Sequence, residues 1–245
     1  PALNDISLTT NGILLETHAD ELVAAGIRRI NISLDSLNAE KYARITRGGD
    51  IDAVLRGIRK VREIGFDPIK INIVAIKGFN DDEVLDFARL TLANPYQIRF
   101  IELMPMGAAG RENDGRYLAN SAIRERIESL GPLQAVNGCR EKTEGPAQLY
   151  RLAGGAGEIG FISPLSRHFC HSCNRLRLTA EGHLRACLLS DDETDLKTPL
   201  RAGCSDQEIG TLIREVIARK PKRHEIACDE DHIKKCMKEM PAIGG

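Results

Sequence analysis

Residues 30–34, INISL, and residues 69–76, IKINIVAI, are short runs rich in β-branched residues, and what lies between them decides the fold. Between them Ile51, Val54, Leu55, Ile58 and Val61 recur at helical spacing, and Gly65 follows as a terminator. The same rhythm extends both ways. Upstream, Ile6-Ser7-Leu8-Thr9 reads as a strand closed by the turn signal Thr10-Asn11-Gly12. A helix follows near Thr17 to Ala25, with Leu22 and Val23 inward and Gly26 at its end. Downstream, Asn80 with Glu83 reads as an N-cap and its return partner ahead of Val84 and Phe87, and Ile98 to Leu103 is a fourth strand. Strands alternating with helices imply parallel βαβ units. Four such units without a Gly-x-Gly-x-x-Gly turn favour a barrel-like α/β sheet over a dinucleotide-binding fold. Barrels of this kind carry their chemistry at the C-terminal strand ends, which puts Thr9, Ser33 and Met104 at the functional rim. Strand termination and helix capping are the competing roles for Thr9 and Ser33.

The character of the chain changes after Met106. Residues 107–115 are glycine-rich and polar, a loop, and a helix follows near Ser121 to Leu130. Tyr150 to Phe161, interrupted by Gly154, Gly155 and Gly157, reads as a hairpin. A second hairpin pairs residues 176–179 with residues 183–186 across Ala180-Glu181-Gly182. Ser205 with Glu208 is a capping box for a helix that buries Ile209, Leu212, Ile213 and Val216. The expected division is therefore residues 1–106 as a partial barrel and residues 107–245 as a C-terminal segment.

Bulk properties narrow the function. The 42% hydrophobic content is enough to bury a core, and the formal net charge of -1 gives no general nucleic-acid footprint. Any bound phosphate must be held by local basic residues. No apolar run is long enough for a membrane span, and no secretory signal is visible, so a cytoplasmic location is expected. The first residue is Pro1, which reads as a chain cut at its N-terminus.

The seven cysteines are Cys139, Cys170, Cys173, Cys187, Cys204, Cys228 and Cys236; the odd count argues against a secreted disulfide scaffold. Cys170-His171-Ser172-Cys173 lies just before the second hairpin and Cys187 just after it, so the hairpin can return Cys187 to the Cys-x-x-Cys turn. Soft thiolates at this spacing suit zinc or an iron–sulfur cluster. A structural zinc, the commoner use of such spacing, needs His168 or His171 as a fourth ligand. A [4Fe–4S] cluster instead leaves one iron open to substrate, and the third reading is that these are core cysteines without a metal. Arg175 and Arg177, two apart on a strand, aim two guanidiniums at one side beside these ligands, an arrangement suited to an anion.

Together these pieces resemble the GTP 3′,8-cyclase family of radical-SAM enzymes, which begins molybdenum cofactor biosynthesis. The matching segments are SLTTNG at 7–12, INISLDS at 30–36, KINIVAIKGFND at 70–81 and IRFIELMPMG at 98–107. FCHSCNRLRLTAEGHLRACL at 169–188 and the terminal Gly244-Gly245 continue the family's order over nearly the whole chain. The Cys-x-x-Cys-Asn-Arg-x-Arg run, with its third cysteine after a thirteen-residue gap, is highly specific.

The resemblance implies an α/β fold: a partial TIM-like (βα) barrel of the radical-SAM type, with a C-terminal segment carrying a second iron–sulfur site. It implies that Cys170, Cys173 and Cys187 ligate an auxiliary [4Fe–4S] cluster whose open iron binds the guanine base. It implies GTP contacts for Thr9, Lys70, Arg99, Arg175, Leu176 and Arg177, and S-adenosylmethionine contacts for Ser33 and Met104. It also implies a homodimer, and cyclic pyranopterin monophosphate synthase as the next enzyme of the pathway. The departure is at the start: the family's Cys-x-x-x-Cys-x-x-Cys loop, which holds the cluster that reduces S-adenosylmethionine, has no counterpart here. These residues alone are accordingly expected to be inactive, and no catalytic residue is assigned. The rival readings are another radical-SAM enzyme with an auxiliary cluster, and a zinc-stabilised module that binds a nucleotide or partner.

Overall fold

The computed structural model describes residue 3 and residues 5–106, 115–136, 145–224 and 243. Cys139, Cys228, Cys236, Gly244, Gly245 and most of the loop expected at 107–115 lie outside the described residues. The chain divides into two compact units, residues 1–103 with 115–163, and residues 104–114 with 164–245.

The first unit alternates strands and helices as expected. Its elements are β1 (Ser7–Thr10), α1 (Leu15–Ala24), β2 (Arg29–Ser33), α2 (Ala39–Thr46), α3 (Ile51–Glu63), β3 (Ile69–Ala75), α4 (Val84–Ala93) and β4 (Gln97–Glu102). Then come α5 (Asn120–Glu128), β5 (Leu133–Ala135), β6 (Gln148–Leu152) and β7 (Glu158–Ile162). They build one seven-stranded sheet in the order β1-β2-β3-β4-β7-β6-β5. Strands β1 to β4 and β7 are mutually parallel, and β6 and β5 extend the sheet antiparallel beyond β7. This is the expected partial barrel of α/β type.

One face of the sheet explains its stability. Ile30, Ile32, Ile69, Ile71, Ile73, Ile98, Phe100, Ile159 and Phe161 alternate along β2, β3, β4 and β7 and are all buried. They share a core with Val54, Ile58 and Val61 of α3 and Phe87 of α4. Phe100 stacks on Phe161 at 6.2 Å between centroids and meets Phe87 edge-on. Gly57 allows α1 and α3 to approach closely, since a Cβ there would lie 2.9 Å from Cβ of Leu15.

The cap expected at Asn80 is not formed. The Asn80 side chain makes no capping bond and instead ties the ends of β2 and β3. Its Nδ2 donates to the carbonyls of Asp35 and Val74, and its Oδ1 accepts from the Ile76 amide. Glu83 turns to a different helix, accepting from Ser36 Oγ and from the amides of Leu37 and Asn38. A buried carboxylate and a buried amide are better satisfied by several fixed backbone groups than by one reciprocal pair.

Asp35 belongs to the same junction, and its Oδ1 accepts from the Val74 amide at 2.8 Å. Burial pushes its carboxyl above the usual carboxylate range, against the lowering effect of that amide. A group with a raised folded pKa loses stability as pH climbs from its unfolded pKa through its folded one. Asp35→Asn keeps an oxygen for Val74 and removes the charge. It is expected to be more stable than wild type at neutral pH in urea unfolding, with the gain disappearing below about pH 4.

The second unit contains a three-stranded antiparallel sheet of β8 (Arg177–Leu178), β9 (His183–Arg185) and β10 (Thr194–Asp195), with β9 central. Two helices follow, α6 (Lys197–Arg201) and α7 (Asp206–Ala218). The expected capping box is present at the start of α7, with Ser205 and Glu208 bonded reciprocally. The expected buried face is narrower than its pattern. Val216 is buried against Leu184 and Ala186, whereas Ile209, Leu212 and Ile213 are only half-buried. Strands of two or three residues are too short to cover a helix of this length. Among the described residues, no helix is long and apolar enough to cross a membrane.

Candidate functional site

The face of the large sheet opposite its core is polar. Register aligns Thr9, Asn31, Lys70, Gln97 and Glu158 in one row, and Ser33, Asn72, Arg99 and Gly160 in the next. Lys70, Gln97 and Arg99 are buried there at 7%, 7% and 6% exposure, although a central parallel strand covered on both faces would carry apolar residues throughout. Arg99 Nε donates to Gln97 Oε1 at 2.6 Å, and Gln97 Nε2 donates in turn to Glu158 at 2.9 Å. A Cβ at position 160 would press on Arg99 Cγ and Leu149 Cδ2, each at 3.1 Å, so glycine there leaves room for the Arg99 side chain. Asn72 Oδ1 is buried and has no hydrogen-bond partner among the described residues. Thr9 and Ser33 are exposed, near and at the C-terminal ends of β1 and β2. Asn31, Asn72, Gln97 and Gly160 were not marked by sequence reasoning. The signal was the strict alternation Ile-Lys-Ile-Asn-Ile inside a central strand.

The second unit gathers the cysteine motif. Cys170 opens a single 3₁₀ turn, Cys170–Ser172, whose closing bond runs from the Cys173 amide to the Cys170 carbonyl. The hairpin β8–β9 then returns the chain, and Cys187 follows two residues after β9. Cys170, Cys173 and Cys187 line one cavity together with Arg175, Arg177 and Lys220. Its apolar wall includes Phe169, Leu188, Leu189 and Met104. Leu176, between the two arginines, packs instead with Leu184, Ala186 and Val216, as strand alternation requires.

Arg175 has two contacts beside the cysteine turn. The Arg175 guanidinium sits 5.1 Å from the centre of the Phe169 ring, and Lys220 Nζ donates to the Arg175 carbonyl at 2.5 Å. Burial pushes the Cys173 thiol up, but the Arg175 amide and guanidinium, with Lys220 beyond, outweigh it and favour the thiolate. Burial lowers the pKa of Arg177, as do its neighbours Arg175 and Arg185, while Cys173 and Cys187 oppose that shift.

The free cysteine Cys204 does not line this cavity, nor do His168 and His171, which a zinc site would need for its fourth ligand. Among the described residues, no three His, Cys, Asp or Glu side chains are grouped to hold a metal ion. The cysteines thus face one cavity without meeting at one point.

The profile of the family described as Molybdenum Cofactor Synthesis C matches residues 96–226, and that of the Radical SAM superfamily matches residues 2–91. A GTP 3′,8-cyclase of Pelotomaculum thermopropionicum is 49% identical over 227 residues, covering 92% of this chain and 69% of that protein. One of Alkaliphilus metalliredigens is 42% identical over 245 residues, covering 100% of this chain and 73% of that protein. The chain belongs to the GTP 3′,8-cyclase family. This is a family of radical-SAM enzymes, and it places the chain in molybdenum cofactor biosynthesis. Among solved structures, a radical SAM methyltransferase from Sphaerobacter thermophilus is similar over 51% of this chain and 38% of its own, with a TM-score of 0.41 and 21% identity.

Proposed function

We propose that these residues hold GTP for 3′,8-cyclisation, with Cys170, Cys173 and Cys187 ligating an auxiliary [4Fe–4S] cluster and Arg175 and Arg177 binding the nucleotide beside it. The observation that carries this reading is the single cavity lined by three cysteines and three cations. The donor set fits the cluster. All three thiols are free and partly buried, and Cys173 is biased toward thiolate by Arg175. Thiolates that share one tetrahedral zinc at about 2.3 Å must converge on a single point. Thiolates that each bind a different iron of a cube stand at separate corners around one space, and three cysteines lining one cavity agree with that.

When bound, such a cluster supplies an iron with an open position for a base. The protein's own contribution is positioning. Leu188, Leu189 and Phe169 keep water from the cavity wall, and donors of fixed geometry hold the anion. In the same proposal Thr9, Lys70 and Arg99 of the first unit contact GTP, and Ser33 and Met104 contact S-adenosylmethionine. Radical-SAM chemistry also uses a [4Fe–4S] cluster that cleaves S-adenosylmethionine. Cys139 is the one cysteine before Cys170 in these residues, so they contain no ligand set for that cluster and no step is assigned through it.

Binding to the anaerobically reconstituted protein tests the reading. Arg175→Ala is expected to weaken GTP by about 1–3 kcal/mol through loss of a charge-assisted contact. Lys70→Ala is expected to weaken GTP but to leave guanosine nearly unaffected, because its role is toward the triphosphate. Equal losses for both ligands in titration calorimetry contradict that role, and no GTP binding by wild type contradicts the whole assignment.

A further inference from the structure

We propose that His224 reads the nucleobase: its Nδ1 accepts a hydrogen bond from the exocyclic amine of a guanine held in the cysteine cavity. This rests on the reading of that cavity as a GTP site. His224 lines the cavity with the three cysteines, and it is 9% exposed. Its Nε2 lies 2.8 Å from the Pro164 carbonyl. A carbonyl oxygen can only accept, so Nε2 carries the hydrogen, and in the neutral ring Nδ1 is left as the acceptor. That Nδ1 is buried and has no hydrogen-bond partner among the described residues.

The chemistry of the remaining wall makes this acceptor matter. Arg175, Arg177 and Lys220 offer donors only. The cysteine thiolates are committed to iron in the proposed function, and the Met104 thioether is a weak acceptor. A base entering with an N–H toward this wall therefore finds one strong side-chain acceptor, His224. Guanine carries a 2-amino group that meets this need. Hypoxanthine has the same rings without it, and binding it would leave Nδ1 buried and unpaired. Sites that hydrogen-bond a ligand N–H discriminate strongly against the analogue that lacks it.

The test compares GTP with inosine triphosphate by equilibrium dialysis against the cluster-loaded protein. Wild type is expected to prefer GTP by about tenfold or more. His224→Phe, which lacks the acceptor, is expected to bring the ratio of the two affinities close to one, with iron and sulfide content unchanged. Two further variants separate recognition from folding. His224→Asn can place an oxygen where Nδ1 stands and is expected to retain most of the preference. His224→Gln can donate to Pro164 but offers nothing at the Nδ1 position, and is expected to lose it. A wild type that binds both nucleotides equally, or variants that weaken both by the same factor, would overturn the role of His224 while leaving GTP binding intact. A wild type that binds neither nucleotide would overturn the GTP site itself, and this inference with it.

Discussion

Iron and sulfide loading is expected to fall from about four of each per chain to background when Cys187 is replaced by serine. Cys187 follows the β8–β9 hairpin and lines the same cavity as Cys170 and Cys173, which precede it, so in the proposed function it is the third ligand. A serine hydroxyl is a hard and weakly acidic donor and does not replace a soft thiolate. Two cysteines from one Cys-x-x-Cys turn cannot retain a cube with two irons open. Cys204→Ser is the control, because Cys204 lies outside the cavity and is expected to leave loading unchanged. Full loading of the Cys187→Ser protein, measured by iron and sulfide analysis, would remove Cys187 from the proposed ligand set. Zinc alone in wild type, after anaerobic purification, would favour the structural-metal alternative.

The second large effect is expected at Arg185, a residue that no functional argument singled out. It is fully buried, the largest side chain among the described residues with so little exposure. Its guanidinium bonds Glu193 at 2.7 Å, reaches Asp191 at 3.5 Å, and donates to the Ser190 carbonyl. These contacts gather residues 190–193 around the strand that leads to Cys187. Arg185→Ala would remove the buried guanidinium that half-buried Glu193, Asp191 and the Ser190 carbonyl share, with His183 Nδ1 still 3.7 Å from Glu193, and losing such charge-assisted bonds destabilises by about 1–3 kcal/mol. The expected results are a lower urea midpoint and a coupled loss of cluster loading. Arg185→Lys keeps the charge but loses the planar fork, and is expected to recover only part of either property. A variant with wild-type stability and loading would show that the loop bearing Cys187 is held by other contacts.

Much of the architecture was legible in the sequence because it rests on periodicity. Ile51, Val54, Ile58 and Val61 read as one helical stripe and are buried as one. Asn80 and Glu83 depart from the capping box that their spacing predicts, because that is a local pattern, while the buried ends of β2 and β3 offer both side chains more hydrogen bonds than each other. Helix α2 escaped notice: Tyr42 is its one buried residue, too little to form a stripe, and its start depends on the Asn38 cap. The cysteine cavity was legible because its cysteines closely flank one hairpin. His224 was not. It follows Cys187 by a long interval, and its role depends on a carbonyl at Pro164 and a missing partner at Nδ1, which no spacing encodes.

The hairpin between Cys173 and Cys187 also acts as a ruler. Arg177 faces Arg185 and Leu178 faces Leu184, so one added residue in either strand would reverse which side chains meet the cavity. The turn offers no slack either. Gly182 has φ +88, a Cβ there would lie 2.6 Å from Cβ of Lys197, and its carbonyl accepts from the amides of Leu196 and Lys197. The length of chain between the second and third thiols is thus fixed at both strands and at the bend. An insertion anywhere in that interval would be felt as a change in the placement of the thiols before it was felt as a change in fold.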